Sequence, residues 1–334
     1  MDYEFKILTD SVSDLPLSWL KDHPEVRIID TPITISGGYT NETFYHQTAD
    51  DFMAIDARVK NGGVRAMTSQ PMIFDPNGDS LTSVESITRK LLDEGKDVIY
   101  VVMNGSLSGT YGMASLLYRD LNKEYRESGR RAVCIDSHCM GTGLALLIME
   151  LCEAYKKGEV SNVSQMADFV MKNRGYIGHF FTWGELSYIR KSGRVGAVRA
   201  MAANLLGIRL ICAAEYVNGA ERKLEHVNPH TFVRGISRWA DIIGRYAQRH
   251  IADPNGTIIV AHGNVPRDAD IVVCKLMDYL PNANYLTGPD WRCGAGIQCH
   301  GGPTSLHVNF HTDNIGQIEG AVNEFTSIIR NYQR

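Results

Sequence analysis

Asp97-Val98-Ile99-Tyr100-Val101-Val102-Met103, then Asn104-Gly105-Ser106-Leu107-Ser108-Gly109-Thr110, then Tyr111 to Tyr118, is the stretch that decides the fold. Its first seven residues are a β-branched and aromatic run, the composition of a strand buried on both faces. The next seven form a tight Gly/Ser loop, and from Tyr111 onward apolar residues recur at helical spacing. A strand, a tight loop and a helix start bring backbone N–H groups and the positive end of the helix together, a layout suited to a small anion. The loop lacks the Gly-Lys-Ser/Thr of a P-loop, so a carboxylate or single phosphate fits better than a nucleotide triphosphate. The competing reading is a glycine-rich turn that only caps the helix.

Working outward, Glu4 to Thr9 reads as a first strand that ends in Asp10-Ser11-Val12-Ser13-Asp14. Polar side chains gathered past the carboxyl end of a strand stand where open α/β sheets bind ligands. Pro16 opens a short helix, 26–35 is extended, and Thr48-Ala49-Asp50-Asp51 caps a helix running to Asn61. Val64-Arg65-Ala66-Met67 is a brief strand feeding Thr68-Ser69-Gln70-Pro71, and Leu81 to Glu94 reads as a helix closed by Gly95. Arg131 to Ile135 is the next strand, ending at Asp136-Ser137-His138, and the helix from Gly141 to Lys157 ends at Gly158. Strands alternating with helices over these 157 residues predict a parallel, helix-covered sheet.

Beyond residue 160 the rhythm changes. Val163 to Asn173 is helical, Tyr176 to Thr182 extended, and Trp183 to Lys191 helical again. Ile208 to Tyr216 and Arg222 to Val227 flank Val217-Asn218-Gly219-Ala220, an Asn-Gly signal for an antiparallel hairpin. Thr231 to Gln248 predicts one long amphipathic helix. Thr257 to Ala261 is a strand, Ala269 to Leu280 a helix, and two further strands bracket Cys293 to Pro303. The expected organisation is an α/β domain over 1–160, a second domain with a mixed α+β sheet over 161–312, and a helical extension over 313–334.

The chain has 334 residues, enough for a sizeable core in each of two domains, with 44% apolar and 22% charged residues. A net charge of −4 gives no electrostatic reason to expect nucleic acid as a partner. No run approaches the length of a membrane-spanning helix and Met1-Asp2-Tyr3-Glu4 is not a signal peptide, so a cytoplasmic location is expected. The seven cysteines mostly sit in apolar runs, where thiols behave as small hydrophobes. Cys293, Cys299 and His300 hint at a metal, but zinc would need a fourth ligand and tighter pairs.

Four segments together resemble the DegV family of bacterial lipid-binding proteins. They are Ile7-Leu8-Thr9-Asp10-Ser11 with Asp14-Leu15-Pro16, Thr68-Ser69-Gln70-Pro71, Leu107-Ser108-Gly109-Thr110-Tyr111, and Ser192-Gly193-Arg194-Val195. Asp136-Ser137 and His300-Gly301-Gly302-Pro303 extend the match. The resemblance implies a two-domain α/β fold that buries a long-chain fatty acid and needs no cofactor. It also implies a role without catalysis of its own: presenting the acyl carboxylate to a separate fatty-acid kinase catalytic protein, which converts it to an acyl phosphate. Such a role leaves room for transient membrane contact.

By that resemblance, Thr68 and Ser69 hold the head group, with Gly105, Asn104 and His300 as further donors and Asp10 and Ser11 lining the same end. An ST-turn before Pro71, a loop histidine holding the Gly301-Gly302-Pro303 turn, and helix capping by Asp10 are the competing structural roles. Asn104 and Gly105 stand where the family usually carries two serines, which bears on the carboxylate clamp and on the ligand's identity. Arg190, Lys191, Arg194 and Arg199 form a basic cluster around Gly193, read as the partner-docking surface or as a solvated face. His226 and Asn228 replace the family's Lys-x-Arg, so part of that basic surface is absent. Two enzyme-like alternatives stay open. One is a dihydroxyacetone-kinase-like subunit using His300 or His262 on a small polar substrate. The other is a hydrolase assembled from Ser106, Ser108, His138, His262 or His300, although no Gly-x-Ser-x-Gly elbow is present.

Overall fold

A computed structural model describes residues 4–29, 33–35, 38–39, 66–68, 83–192, 207–213, 232–313 and Ser327. The chain divides into two compact units: Met1–Arg174 with Gly294–Cys299, and Gly175–Cys293 with His300–Arg334.

The first unit is built on β1 (Phe5–Asp10), β2 (Val26–Ile29), β6 (Asp97–Val102) and β7 (Ala132–Asp136). They form a four-stranded sheet in the order β2-β1-β6-β7 with every pair parallel. Ile7, Ile99, Val98 and Val101 are fully buried, as the unbroken apolar runs require of a sheet covered on both faces. One face, with Leu8, Val98, Tyr100 and Val102, meets α2 (Val84–Asp93) and α3 (Thr110–Glu124). On α2 the buried positions Val84, Ile87, Thr88, Leu91 and Leu92 trace a single stripe at helical spacing. Ser83 caps that helix by accepting the Ser86 N–H at 3.0 Å, and Gly95, at φ +77°, ends it.

The other helices of this unit are α1 (Leu17–Lys21), α4 (Thr142–Lys156) and α5 (Val163–Asn173). Because α5 packs on β6, β7 and α4, the first unit runs to Arg174 rather than stopping at residue 160. Nothing in the turn at Lys156-Lys157-Gly158 signals this; the apolar stripe Val163, Met166, Ala167 and Val170 does, once β7 is there to receive it. A small antiparallel sheet joins β3 (Ile33–Ile35), β4 (Gly38–Tyr39) and β5 (Ala66–Thr68). The helix expected over 48–61 lies outside the described residues.

In the second unit, β8 (Ile177–Trp183), β10 (Cys212–Ala213), β12 (Thr257–His262), β13 (Asn284–Leu286) and β14 (Ser305–His311) form a five-stranded sheet. Its order is β10-β8-β14-β12-β13, antiparallel except for the β12–β13 edge, so it is the expected mixed sheet. Phe180, Leu306, Val308, Phe310, Ile258 and Val260 share a core with α7 (Ile236–His250) and α8 (Pro266–Met277). Trp239 is its largest fully buried side chain, and its indole N–H donates to the Leu210 carbonyl at 3.0 Å.

Two expectations for this unit are corrected. The helix over Thr231–Gln248 begins only at Ile236: Phe232–Arg234 is β11, antiparallel to β9 (Ile208–Leu210), and Gly235 at φ +84° turns the chain between the two. β8 continues through Trp183, so the following helix, α6, is confined to Ser187–Ser192. The segment between Cys293 and Pro303, for which the sequence gives no element, contains a helix, α9 (Ala295–Gly301), whose residues up to Cys299 belong to the first unit. The hairpin expected around Asn218-Gly219 and the extension after 313, apart from Ser327, fall outside the described residues.

Candidate functional site

The carboxyl ends of β1, β6 and β7 bring together the polar residues that the sequence places just past each strand. Asp10, the last residue of β1, is buried; it accepts the Met103 N–H at 2.9 Å and the Tyr100 hydroxyl. Burial pushes its carboxyl up to about 6, against the opposing pull of these two donors. As the residue before the 3-10 turn Ser11–Ser13, Asp10 makes no side-chain cap bond. Ser11 is buried in that turn, and Asp14 closes it at φ +57°. The Asp14 carboxylate accepts the Gly294 N–H at 2.9 Å, at the start of α9.

The loop after β6 is organised from within. Asn104 donates its backbone N–H to the Cys139 carbonyl at 2.8 Å and its amide to the His138 carbonyl at 3.0 Å. Its side-chain oxygen accepts from Ser106 N–H at 2.8 Å and from the Ser106 hydroxyl at 2.7 Å. Gly105 donates its N–H to Asp136 Oδ2 at 3.0 Å, and Asp136 Oδ1 takes the His138 N–H at 2.8 Å. A Cβ on residue 105 would stand 2.6 Å from Asp136 Oδ2, so a larger residue here requires that carboxylate to shift. Ser108 stands at the mouth of α3, bonded to the Thr110 hydroxyl at 2.9 Å and its N–H at 3.3 Å.

These bonds show how two of the expected donors are engaged in the structure. The Gly105 N–H, expected to meet a bound anion, is held by the chain's own Asp136 carboxylate, because a buried carboxylate requires donors. Asn104 brackets the loop, its amide and side-chain oxygen both bonded within it. Ser106 and Ser108 are bonded to Asn104 and Thr110, so neither bond aims a nucleophile at a histidine.

The remaining expected site residues are distributed as follows. Thr68 ends β5, paired with Ile33, and the described part of Thr68 is its backbone; Ser69 lies outside the described residues. His300 is half-buried on α9 and belongs to the second unit. Arg190 is exposed on α6, Lys191 shares that helix, and Arg194 lies outside the described residues. Residues absent from the expected site are Tyr100, Asp136 and His138. His138 is buried at φ +58°, with Nε2 3.8 Å from Asp136 Oδ2. Their signal was the position of Asp136 and His138 at the end of β7, directly beside the β6 loop.

The family described as "Uncharacterised protein, DegV family" matches residues 4–312. The chain belongs to the DegV family. A DegV domain-containing protein of Clostridium perfringens is 25% identical over 324 residues, covering 93% of this chain and 98% of the relative. Among solved structures, a stearic-acid-binding protein from Eubacterium ventriosum shares 20% identity, with TM-score 0.71 over 92% of this chain and 98% of that one. A fatty-acid-binding DegV protein from Thermus thermophilus shares 19% identity at TM-score 0.71, covering 92% of this chain and 99% of that one. At these identities the solved structures establish the DegV fold. Among the described residues, no helix of this DegV chain is long and apolar enough to cross a membrane.

Proposed function

We propose that this chain binds a long-chain fatty acid, or a similar lipid carboxylate, and presents the acid group to a separate fatty-acid kinase catalytic protein. The observation that carries the reading is DegV membership over 4–312, with polar residues gathered at the carboxyl edge of a parallel sheet. Relatives of this fold are described as stearic-acid-binding and fatty-acid-binding proteins. Each CH₂ removed from water contributes about 0.8 kcal/mol, so an apolar tunnel supplies affinity and the head-group contacts supply orientation.

Thr68, Ser69, His300, Asp10 and Ser11 are the head-group residues in this reading. Asn104 and Gly105 shape the wall, since their own bonds hold the loop to β7. Arg190, Lys191 and Arg194 form the contact for the kinase. A carboxylate oxygen of the fatty acid bonds to the γ-phosphorus of the kinase's nucleoside triphosphate as the bond to the bridging oxygen breaks and the nucleoside diphosphate leaves; the chain's part is to hold and expose that oxygen.

Organic extraction of the freshly purified protein followed by mass spectrometry tests the ligand. A stoichiometric long-chain acid is expected, and a small polar metabolite in its place overturns the reading. Thr68→Ala removes one hydroxyl donor to a charged group, so a fluorescent fatty-acid titration should show about ten-fold weaker binding. Unchanged affinity together with unchanged acyl-phosphate formation by the added kinase would remove Thr68 from the site.

A further inference from the structure

At the opposite, amino-terminal edge of the first unit's sheet, three buried side chains of different chemistry converge. His23 and Glu25 lie on the connection from α1 to β2, and Cys152 lies on α4. They are 5%, 2% and 0% exposed, and one ligand-type atom of each falls within 4.8 Å of the other two. His23 Nδ1 stands 2.8 Å from Glu25 Oε1, while Glu25 Oε2 is buried with no hydrogen-bond partner. A buried carboxylate oxygen without a bond is costly unless a proton donor or a cation meets it.

We propose that His23 Nδ1, a Glu25 carboxylate oxygen and Cys152 Sγ bind one divalent transition-metal ion of zinc-like preference in an open site whose fourth position is taken by water. Imidazole, carboxylate and thiolate are the three donor types that zinc takes. Tetrahedral geometry with zinc's bond lengths sets ligand–ligand edges of about 3.3–3.6 Å. The ion therefore enters by opening the His23–Glu25 pair slightly and drawing the thiol in. One carboxylate and one thiolate neutralise a divalent charge, which suits an apolar setting. Binding releases the thiol proton to solvent, and water completes the coordination. Burial and the neighbouring Glu25 push the Cys152 thiol up, so without metal it stays protonated.

The surroundings favour this arrangement. Trp19 stacks on the His23 ring with centroids 3.8 Å apart and fixes its plane. Lys156 Nζ approaches the other ring nitrogen, Nε2, at 3.4 Å, and pairs with Glu153 at 3.1 Å on the solvent side, leaving the Nδ1 face to Glu25 and Cys152. A bound ion would tie the α1–β2 connection to α4, away from the head-group loops.

The test is cobalt(II) and zinc(II) titration of the tag-free full-length chain. A near-ultraviolet thiolate-to-cobalt charge-transfer band saturating at one ion per chain is expected, with a rise in melting temperature on zinc addition. Cys152→Ser and Glu25→Gln should each weaken metal binding by at least about ten-fold. Cys274→Ser, which removes an exposed thiol, should leave the band intact. Should Cys152→Ser fail to fold by circular dichroism, the isosteric Glu25→Gln stands in for it. The proposal is overturned if the wild type takes up no stoichiometric metal, if Glu25→Gln binds as well as wild type, or if the band follows Cys274 instead.

Discussion

The two sheets bury titratable side chains in opposite ways. In the first unit the acids are the last residues of their strands, where backbone N–H groups not used by the ladder can reach them: Met103 donates to Asp10, and Gly105 and His138 to Asp136. In the second unit His179 and His307 sit within the neighbouring strands β8 and β14, with Nε2 and Nδ1 3.3 Å apart. There the backbone donors are committed to the ladder, so burial leaves the imidazoles neutral. It pushes His307 down to about 4 and His179 well below its ordinary value. A strand end can host an anion; a strand interior in a buried sheet accepts only a neutral base.

The comparison can be broken most forcefully in the second unit's core. Trp239→Ala should cost about 4 kcal/mol, the range for deleting a fully buried aromatic. Denaturant unfolding should show the loss, and hydrogen exchange should place it in β12 and β14. Equal loss of protection in β1 and β6 would mean that the two units do not unfold separately.

pH should separate the units by sign. Asp10 has an ordinary value of 3.8 and sits near 6 when folded, so between these values the folded state keeps a proton that the unfolded chain releases. Its contribution falls as pH rises through that window, by roughly 3 kcal/mol. His307 moves from 6.5 to about 4 on folding, so the unfolded chain binds the proton and the contribution rises with pH across that window, by roughly 3 kcal/mol. Amide exchange in β6 and in β14, compared at both ends of the range, should show opposite slopes; slopes of one sign would sink the contrast.

The smallest effect sharpens the strand-end side. Gly105→Ser places a Cβ on Asp136 Oδ2 and should cost about 2 kcal/mol, without restoring the serine-type clamp. A stabilised Gly105→Ser variant that binds fatty acid more tightly would show that Asp136 yields the loop to a ligand.

Much of the fold was legible before any coordinates. The stripe on α2, the unbroken apolar run of β6 and the glycine stop at Gly95 are local patterns, and local patterns survive folding. β11 was missed because three residues carry too little periodicity; only pairing with β9 makes Phe232–Arg234 a strand. α9 was missed for the same reason, a seven-residue helix with glycine at both ends of the segment. At the site, Asp10 and the 104–110 loop were legible as strand-end polar residues. The Asp136–Gly105 bond was not, because it depends on β7 lying beside β6.

By itself, the order of motifs along the chain determined the DegV fold and the parallel character of the first sheet, since buried strands and capped helices are written in residue types and spacing. The tertiary structure alone decided which donors face which acceptors: that Asp136 takes the Gly105 N–H, that two histidines meet within a strand pair, and that Cys152 comes to lie beside His23 and Glu25. Those outcomes depend on register and on packing between segments far apart in sequence, and distance along a chain carries no record of distance in space.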